Sequence, residues 1–314
     1  MSVRSKWQSL PTEQVNPSTL AIDKQSAADI VEDMLNEDRK MLAAVQREKD
    51  RIAVGVDIIT QALRKGGRIL FVGAGTSGRL GVLESAEMPP TFGTSPTLVQ
   101  AIMAGGRGAF LKDREGVEDN YEEGARSMAR LRPSKKDVVI GVSASGMTPF
   151  VRGALTRARR ADSKIIFVTC DPRCELQAFV DLTIAPGVGP EVIAGSTRLK
   201  AGTATKLVLN MLTTATMIRI GKTYGNLMVD VHVGSEKLRD RARRILMVVT
   251  GLEHDQADAL LRRAHWNVKA AIVMQKTHLT LPQSLSKLRA AHDFVRDAIG
   301  EDVEARLRER LNAG

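Results

Sequence analysis

The stretch RILFVGAGTSGRLGVLESAEMPPTFG, residues 68 to 93, decides the fold. It opens with a short apolar run, passes through a turn rich in glycine and hydroxyl residues, and continues with the residue spacing of a helix. Gly73, Gly75 and Gly78 stand at the G-x-G-x-x-G spacing of a dinucleotide site. Whether the chain has a dinucleotide site depends on the residues beyond this stretch.

Two further runs resemble the beginning of this stretch. RILFVG (68–73), DVVIGV (137–142) and KIIFVT (164–169) are each short and continuously apolar, with charged or turn residues beside them. This is typical of strands that are buried on both faces of a parallel sheet. Because helical spacing fills the longer stretches between them, the sequence predicts an α/β three-layer sandwich with a mainly parallel sheet.

Two of these strands are followed by similar turns. Each turn combines glycine with hydroxyl residues and leads into a helix, where main-chain N–H groups and the helix dipole favour an anion. Serine and threonine also cap helices for purely structural reasons, and that alternative stays open for each turn alone. Both turns together predict a phosphate or phosphosugar site. The candidate residues are Gly75, Thr76, Ser77, Gly78, Ser143, Ser145, Gly146 and Thr148.

A dinucleotide site and a Walker-type loop are both disfavoured. A dinucleotide fold needs an acidic residue about 20 residues further on. The next apolar run, TLVQAIMAGG (97–106), has no Asp or Glu at its end. Gly78 is followed by Arg79 and Leu80 rather than by Lys and Ser or Thr, so the Walker pattern also fails.

Composition limits the partners. The net charge of +10 is spread along the chain, and only 4% of the residues are aromatic, so we expect no nucleic acid partner. No apolar stretch reaches the roughly 18 residues that a membrane span needs. The five histidines are scattered without metal-ligand spacing, so no metal site is expected.

The compartment follows from the N-terminus and the cysteines. The first 24 residues contain no apolar segment of the signal-peptide kind. Cys170 and Cys174 have no second pair nearby and are interpreted as reduced thiols. Both observations predict a cytoplasmic protein.

Carboxylates supply the candidate acids and bases. Glu84 and Glu87 lie three residues apart on the helix predicted for 78–88, and Pro89 and Pro90 are expected to stop it. Glu87 would then lie in the last turn, where the helix dipole could raise its pKa. Glu118 belongs to the acidic stretch REGVEDNYEEG (114–124), which would also pass as an exposed helix face.

Several long motifs resemble one known family. They are GAGTSGRLGVLESAEMPPTFG, EGVEDN, VSASGMTPFV and GPEVIAGSTRLKAGTATKLVLNMLTTATMIRIGKTYGNLMVDV. In this order they are similar to the N-acetylmuramic acid 6-phosphate etherases, bacterial enzymes with the sugar isomerase (SIS) fold, and the similarity runs from about residue 18 to about residue 298. The family's usual D-A-S-E-C-P-P-T reads E-S-A-E-M-P-P-T here, so Glu84, Ser85, Ala86 and Met88 depart from it while Glu87 is kept.

The resemblance implies a reaction. Such enzymes cleave the D-lactyl ether of N-acetylmuramic acid 6-phosphate and give N-acetylglucosamine 6-phosphate and D-lactate. In the open-chain aldehyde the C2 proton lies beside a carbonyl, so its removal permits lactate to leave, and water then adds to the double bond. This route needs one acid and one base and no cofactor. The resemblance assigns the acid to Glu87 and the base to Glu118.

The resemblance also extends to further residues and to assembly. Glu191, Arg198 and Lys200 lie near the start of a long helix, where SIS proteins often face ligand, and Glu191 is taken as a substrate-binding candidate. Ser196 or Thr197 is expected as the N-cap of that helix. Related SIS proteins complete their sites with a partner subunit, so a homodimer is expected.

Three segments are predicted. Residues 1–25 are polar and are interpreted as an N-terminal arm, and 26–234 as the phosphosugar domain. In 235–314 the strand signals vanish and amphipathic helices follow one another, as in the small bundle of ubiquitin-associated type found at the end of this family.

Two other functions share these motifs. A non-catalytic regulator that binds a sugar phosphate, like glucokinase regulatory protein, would have similar turns but a second SIS domain. An aldose-ketose isomerase would use similar phosphate loops and the same deprotonation at C2. Neither would release lactate.

Overall fold

A computed structural model describes residues 10–112 and 114–312 of the chain. Within these ranges five strands form one sheet, and every neighbouring pair runs parallel. The strands are β1 (Ile69–Gly73), β2 (Val99–Met103), β3 (Val138–Val142), β4 (Lys164–Val168) and β5 (Leu182–Ile184). Their order across the sheet is β2-β1-β3-β4-β5. The predicted α/β fold with a mainly parallel sheet is confirmed.

The apolar runs predict the central strands correctly. β1, β3 and β4 lie inside the runs at 68–73, 137–142 and 164–169. Every residue of β1 and β3 is buried, because helices cover both faces of a parallel sheet. β5 was not predicted, since three residues are too few to make a recognisable apolar run.

The strand register brings three strand ends to one level. Gly73, the last residue of β1, lies opposite Met103 of β2 on one side and Val142 of β3 on the other. The segments that follow these strands therefore leave the sheet side by side at its carboxyl edge. In parallel α/β sheets this edge is where ligands bind.

Helices precede, connect and follow the strands. Those of the sheet region are α1 (Ala27–Arg47), α2 (Lys49–Arg64), α3 (Gly75–Phe92), α4 (Gly108–Leu111), α5 (Tyr121–Arg130), α6 (Pro149–Arg159) and α7 (Lys200–Arg219). Those that follow are α8 (Glu236–Thr250), α9 (His254–Arg263), α10 (Val268–Thr277), α11 (Leu281–Ala290), α12 (Val295–Ile299) and α13 (Glu304–Asn312). No helix in the described ranges is long and apolar enough to cross a membrane.

The predicted end of α3 is wrong. The helix continues through Pro89 and Pro90 and ends at Phe92, so Glu87 does not lie in its last turn. Proline has no N–H and removes one helical hydrogen bond, but its fixed φ is compatible with the helix, and the chain resumes the pattern beyond it. Gly93 closes the helix, since its N–H donates to the Pro89 carbonyl at 3.0 Å and its φ is +59°.

Residue contacts divide the chain into two compact units. The first contains the described residues through Ser85 together with Thr97–Thr213, and the second contains Ala86–Pro96 and the described residues from Thr214 onward. The whole sheet belongs to the first unit. These bounds differ from the predicted domain boundary at 234/235, which stays a prediction about domains.

The second unit has a helical core of its own. Ile245 and Leu246 of α8, Leu261 of α9 and Ile272 of α10 are buried together in it. Trp266 is partly buried against this core, with the guanidinium of Arg239 5.4 Å from its ring centre. The prediction of a helical C-terminal region is confirmed.

The described part of the predicted arm belongs to the first unit. Residues 10–25 form three short 3-10 turns, and Leu10, Thr12 and Asn16 are buried. Thr19 Oγ1 donates to the Val192 carbonyl at 2.9 Å, and the N–H of Gly195 donates to the Thr12 carbonyl at 3.2 Å. These bonds fix the segment to the loop between β5 and α7. Residues 1–9 of the predicted arm lie outside the described residues.

Candidate active site

A cavity of about 300 Å³ lies at the carboxyl edge of the sheet in the first unit. Its walls come from the turns after β1 and β3, the segment after β2, the first turns of α7, and Glu13. Six of the predicted substrate residues line it, namely Gly75, Thr76, Ser77, Ser143, Ser145 and Thr148. The strand register brings these separate segments together.

The turn after β1 is built by close approach of backbone to backbone. A Cβ on Gly73 would lie 2.7 Å from the Gly78 nitrogen, and one on Gly78 would lie 2.8 Å from the Gly73 oxygen. Only glycine fits at either position, so the first turn of α3 packs directly on the strand end. Gly78 is buried and is not among the lining residues. Its described contacts are those of packing, and its predicted role in binding substrate is untested.

The turn after β3 is held by hydroxyl groups. Ser143 Oγ and Thr148 Oγ1 lie 2.8 Å apart, and Ser145 Oγ accepts from the Met147 N–H at 3.3 Å. Thr148 is the N-cap residue of α6, but its side chain makes no capping hydrogen bond. Its hydroxyl is therefore turned toward Ser143 and the cavity.

Gly146 has a steric role in the same turn. Its φ is +73°, and a Cβ there would lie 2.5 Å from the Cβ of Cys174. Gly146 is buried and does not appear among the lining residues. The turn needs glycine here for close approach, and direct contact of Gly146 with substrate remains a prediction.

The acidic wall comes from the segment after β2. Glu118 lies in a 3-10 turn, Val117–Asp119, and its exposed side chain lines the cavity together with Glu115. Arg114 lines the same wall and donates to the Gly105 carbonyl at 3.4 Å. The carboxylates of Glu115 and Glu118 therefore face the cavity.

Glu87 lies elsewhere on α3. Its side chain is exposed, and it is not among the described residues that line the cavity. One turn earlier, Glu84 is buried and accepts hydrogen bonds from Asn210, at 2.5 Å, and from Thr213, both of α7. Glu84 therefore ties α3 to α7, whereas the role of Glu87 as the acid stays a prediction.

Glu191 caps the start of α7. Its carboxylate accepts from the N–H groups of Lys200 at 3.2 Å and Ala201 at 3.0 Å. The predicted N-cap at Ser196 or Thr197 is wrong because α7 begins at Lys200, and a carboxylate from nine residues upstream takes its first N–H groups. Burial raises the pKa of Glu191. Its role in substrate binding is untested, and its described hydrogen bonds are structural.

Lys200 is engaged in a buried ion pair with Glu37 of α1. Burial alone would raise the pKa of Glu37, but hydrogen bonds from Lys200 and Lys40 outweigh it and lower that pKa. Lys200 is not among the cavity-lining residues. It therefore holds α1 to α7.

Five polar lining residues were not predicted as site residues, namely Glu13, Arg114, Glu115, Thr197 and Thr205. Thr205 and Gly202 both lie in the first turns of α7, and both line the cavity. Glu13 lies in a polar segment without periodicity, so no local signal singled it out. Among the described residues, no three His, Cys, Asp or Glu side chains are grouped so that they could hold a metal ion.

Comparison with known proteins places the chain in a family. The family model described as the glucokinase regulatory protein N-terminal SIS domain matches residues 51–159. An N-acetylmuramic acid 6-phosphate etherase of Salinibacter ruber is 48% identical over 96% of this chain and 97% of its own length. One of Vibrio cholerae is 46% identical over 94% of this chain and 96% of its own.

A solved structure of a phosphoheptose isomerase from Francisella tularensis is 17% identical, covers 62% of this chain and 100% of its own, and has a TM-score of 0.49. The two etherases match this chain over nearly their whole length at close to half identity. The chain therefore belongs to the N-acetylmuramic acid 6-phosphate etherase family.

Proposed function

We propose that the protein cleaves the D-lactyl ether of N-acetylmuramic acid 6-phosphate to N-acetylglucosamine 6-phosphate and D-lactate. Its family supports this substrate. The observation that carries the proposal is that two hydroxyl-bearing turns and the carboxylate of Glu118 line the same cavity. A phosphosugar held by the turns would have its carbon chain within the same cavity as a base.

The phosphate binds where α3 and α6 begin. Thr76 and Ser77 lie in the first turn of α3, and Ser143 and Thr148 lie just before α6. Both helix starts present main-chain N–H groups to an anion, and the hydroxyl groups add donors. This wall offers donors, which suits a dianionic phosphate better than a neutral hydroxyl group.

The reaction is a lyase reaction. Glu118 takes the proton from C2 of the open-chain sugar, the electrons form the C2–C3 double bond, and the C3–O bond to lactate breaks. The acid that gives a proton to the departing ether oxygen is assigned to Glu87 by the family resemblance alone, since Glu87 lies outside the described lining of this cavity. Water then adds across the double bond, with its hydroxyl going to C3 and its proton to C2, which gives N-acetylglucosamine 6-phosphate.

The protein is a homodimer in this proposal. Val31, Leu35 and Leu42 of α1 are exposed, with exposed fractions of 55%, 48% and 54%, and their spacing places them on one stripe of the helix. A second copy would remove this stripe from water. Leu35→Glu should shift the mass measured by light scattering from dimer to monomer, and an unchanged dimer mass would place the interface elsewhere.

The cytoplasm is the proposed compartment. Cys170 and Cys174 are both free and buried. Burial raises the pKa of Cys170 to about 12, so this thiol is not poised to form a thiolate. Free, unreactive cysteines fit a reducing compartment.

Release of D-lactate tests the proposed function. The purified protein is incubated with N-acetylmuramic acid 6-phosphate, and D-lactate is measured with D-lactate dehydrogenase. We expect one D-lactate for each N-acetylglucosamine 6-phosphate formed. Isomerisation of the sugar without lactate, or binding without turnover, would contradict the proposal.

A further inference from the structure

Glu13 is a third carboxylate of the cavity, beside Glu115 and Glu118. It comes from the segment before α1, whereas the other two come from the segment after β2. Nothing in the reaction as proposed above uses it.

The backbone around Glu13 is fixed on both sides. The Glu13 N–H donates to the Leu10 carbonyl at 3.1 Å, and the Gly195 N–H donates to the Thr12 carbonyl at 3.2 Å. Thr12 is fully buried, and Asn16, which is also buried, donates from its side chain to the Pro190 carbonyl at 3.4 Å. The backbone at Glu13 is therefore held by the fold, and its exposed side chain lines the cavity.

The opposite loop leaves room for the carboxylate. Gly195 has a φ of +76°, and a Cβ at this position would lie 3.0 Å from Glu13 Oε2. A side chain at Gly195 would therefore press on the carboxylate as well as strain the backbone. Glycine at this point lets Glu13 lie along the loop beside Thr197, which also lines the cavity.

The chemistry of the ligand decides what Glu13 can contact. The proposed substrate has two anions, a phosphate and a lactyl carboxylate, and a carboxylate repels both. The neutral part of the sugar carries hydroxyl groups, and each of them has an O–H that can donate to a carboxylate. The two turns supply mainly donors, so an acceptor on another wall complements them.

We propose that Glu13 accepts hydrogen bonds from hydroxyl groups of the sugar and thereby fixes the sugar within the cavity. This inference rests on the proposed function for the identity of the sugar phosphate. It makes Glu13 a substrate-binding residue that discriminates a sugar phosphate from phosphate alone. The segment that contains it is then a wall of the site rather than an arm.

Binding measurements on the full-length protein test this role. Glu13→Gln and Glu13→Ala are compared with the unmodified protein by calorimetry, with N-acetylglucosamine 6-phosphate as one probe and inorganic phosphate as the other. We expect Glu13→Ala to weaken sugar phosphate binding about tenfold to hundredfold, as loss of a hydrogen bond to a charged group does, and Glu13→Gln to weaken it less. Affinity for inorganic phosphate should stay within about twofold.

Gln14→Ala is the matched control, since Gln14 is the exposed neighbour and is not among the cavity-lining residues. It should bind both probes as the unmodified protein does. Sugar phosphate affinity of Glu13→Ala within twofold of the unmodified protein would overturn the inference, and so would an equal loss for both probes, because that would indicate a distorted turn.

The proposed function and the role of Glu13 can be contradicted independently of each other. Calorimetry with N-acetylglucosamine 6-phosphate does not depend on turnover, so a Glu13-dependent affinity would stand even if no D-lactate were released. Conversely, lactate release by the unmodified protein with no effect of Glu13→Ala on KM or on affinity would leave the function standing and remove Glu13 from the site.

Discussion

The two ends of β1 and β3 use similar residue types for different purposes. At the amino end, Arg68 and Asp137 each precede a strand and form a two-pronged ion pair, with Nη2 2.8 Å from Oδ2 and Nε 3.1 Å from Oδ1. The same carboxylate also accepts from the N–H groups of Arg68 and Ser134, both at 2.9 Å. At the carboxyl end, Glu118 and the hydroxyl turns face an open cavity.

The difference separates stability from function. Asp137 is buried, and its oxygens are occupied by partners from the same chain, so it can offer little to a ligand. Glu118 is exposed and faces the cavity. A polar group whose bonding is completed within the chain stabilises the fold, whereas one that faces a cavity is available for chemistry.

The largest effect on activity is expected at the carboxyl ends of the strands. Glu118→Gln should lower the rate of D-lactate release by about 10²- to 10⁴-fold, because the amide cannot take the C2 proton. The midpoint of thermal unfolding should change by less than about 2 °C, because an exposed side chain contributes little to stability. Asp119→Asn, the exposed neighbour outside the lining, is the control and should retain activity. Near-normal turnover by Glu118→Gln would remove it from the mechanism.

A change at the amino end should affect stability instead. A Cβ on Gly67 would lie 1.9 Å from the Lys136 oxygen, so Gly67→Ala must displace backbone between the two strand starts. We expect a loss of about 3 kcal/mol or more in the free energy of unfolding, measured in urea. Gly66→Ala is the control, since its Cβ would meet nothing within 4 Å and only its φ of +75° opposes it. Equal losses for both variants would contradict the steric explanation.

Asp137→Asn, at the amino ends of the strands, should lower the free energy of unfolding by about 3 kcal/mol, because it leaves Arg68 without its buried partner. Burial would raise the pKa of Asp137, but hydrogen bonds from Arg68 and Ser134 outweigh it and lower that pKa. The stability that this carboxylate contributes is therefore present above its unfolded pKa and is lost as the pH falls through its lower, folded pKa.

Unfolding in urea at a series of pH values below about 5 measures this contribution. The difference between the unmodified protein and Asp137→Asn should shrink as the pH falls. D-lactate release per folded molecule should be the same in both proteins at neutral pH. A difference in stability that grows toward acid pH would show that the sign is wrong.

The smallest expected effect returns to the carboxyl end. Ser143→Ala removes one hydroxyl group from the Ser143–Thr148 pair. Inorganic phosphate should inhibit lactate release about tenfold less effectively, as expected for one lost bond to an anion, while the free energy of unfolding changes by less than about 1 kcal/mol. Thr156→Ala on α6, an exposed hydroxyl that bonds the Arg152 carbonyl, is the control. Unchanged inhibition by phosphate in Ser143→Ala would place the phosphate elsewhere.

The sequence predicts those features that are encoded locally. The central strands follow from continuous apolar runs, and the two turns follow from glycine and hydroxyl residues directly after them. Six of the candidate residues in these turns do line the cavity. The assignments of Glu87 and Glu118 came from the family resemblance, and their catalytic roles stay predictions.

The features that sequence reasoning missed depend on contacts between distant segments. The segment that contains Glu13 is held by a hydrogen bond to a loop about 180 residues later in the chain. Glu191 caps α7 from nine residues upstream. The predicted end of α3 was wrong because two prolines weaken a helix without always stopping it. Local patterns contain no information on such distant partners.

The shortness of β5 has a consequence for how molecules of this protein meet. β5 is an edge strand of only three residues, Leu182–Ile184, so it exposes very few unpaired main-chain groups. An incoming strand from another molecule would gain too few hydrogen bonds there to offset its ordering, which protects this border of the sheet against fibre-like growth. At this border of the sheet, association between molecules is thereby left to helix surfaces, whose side chains can specify one partner.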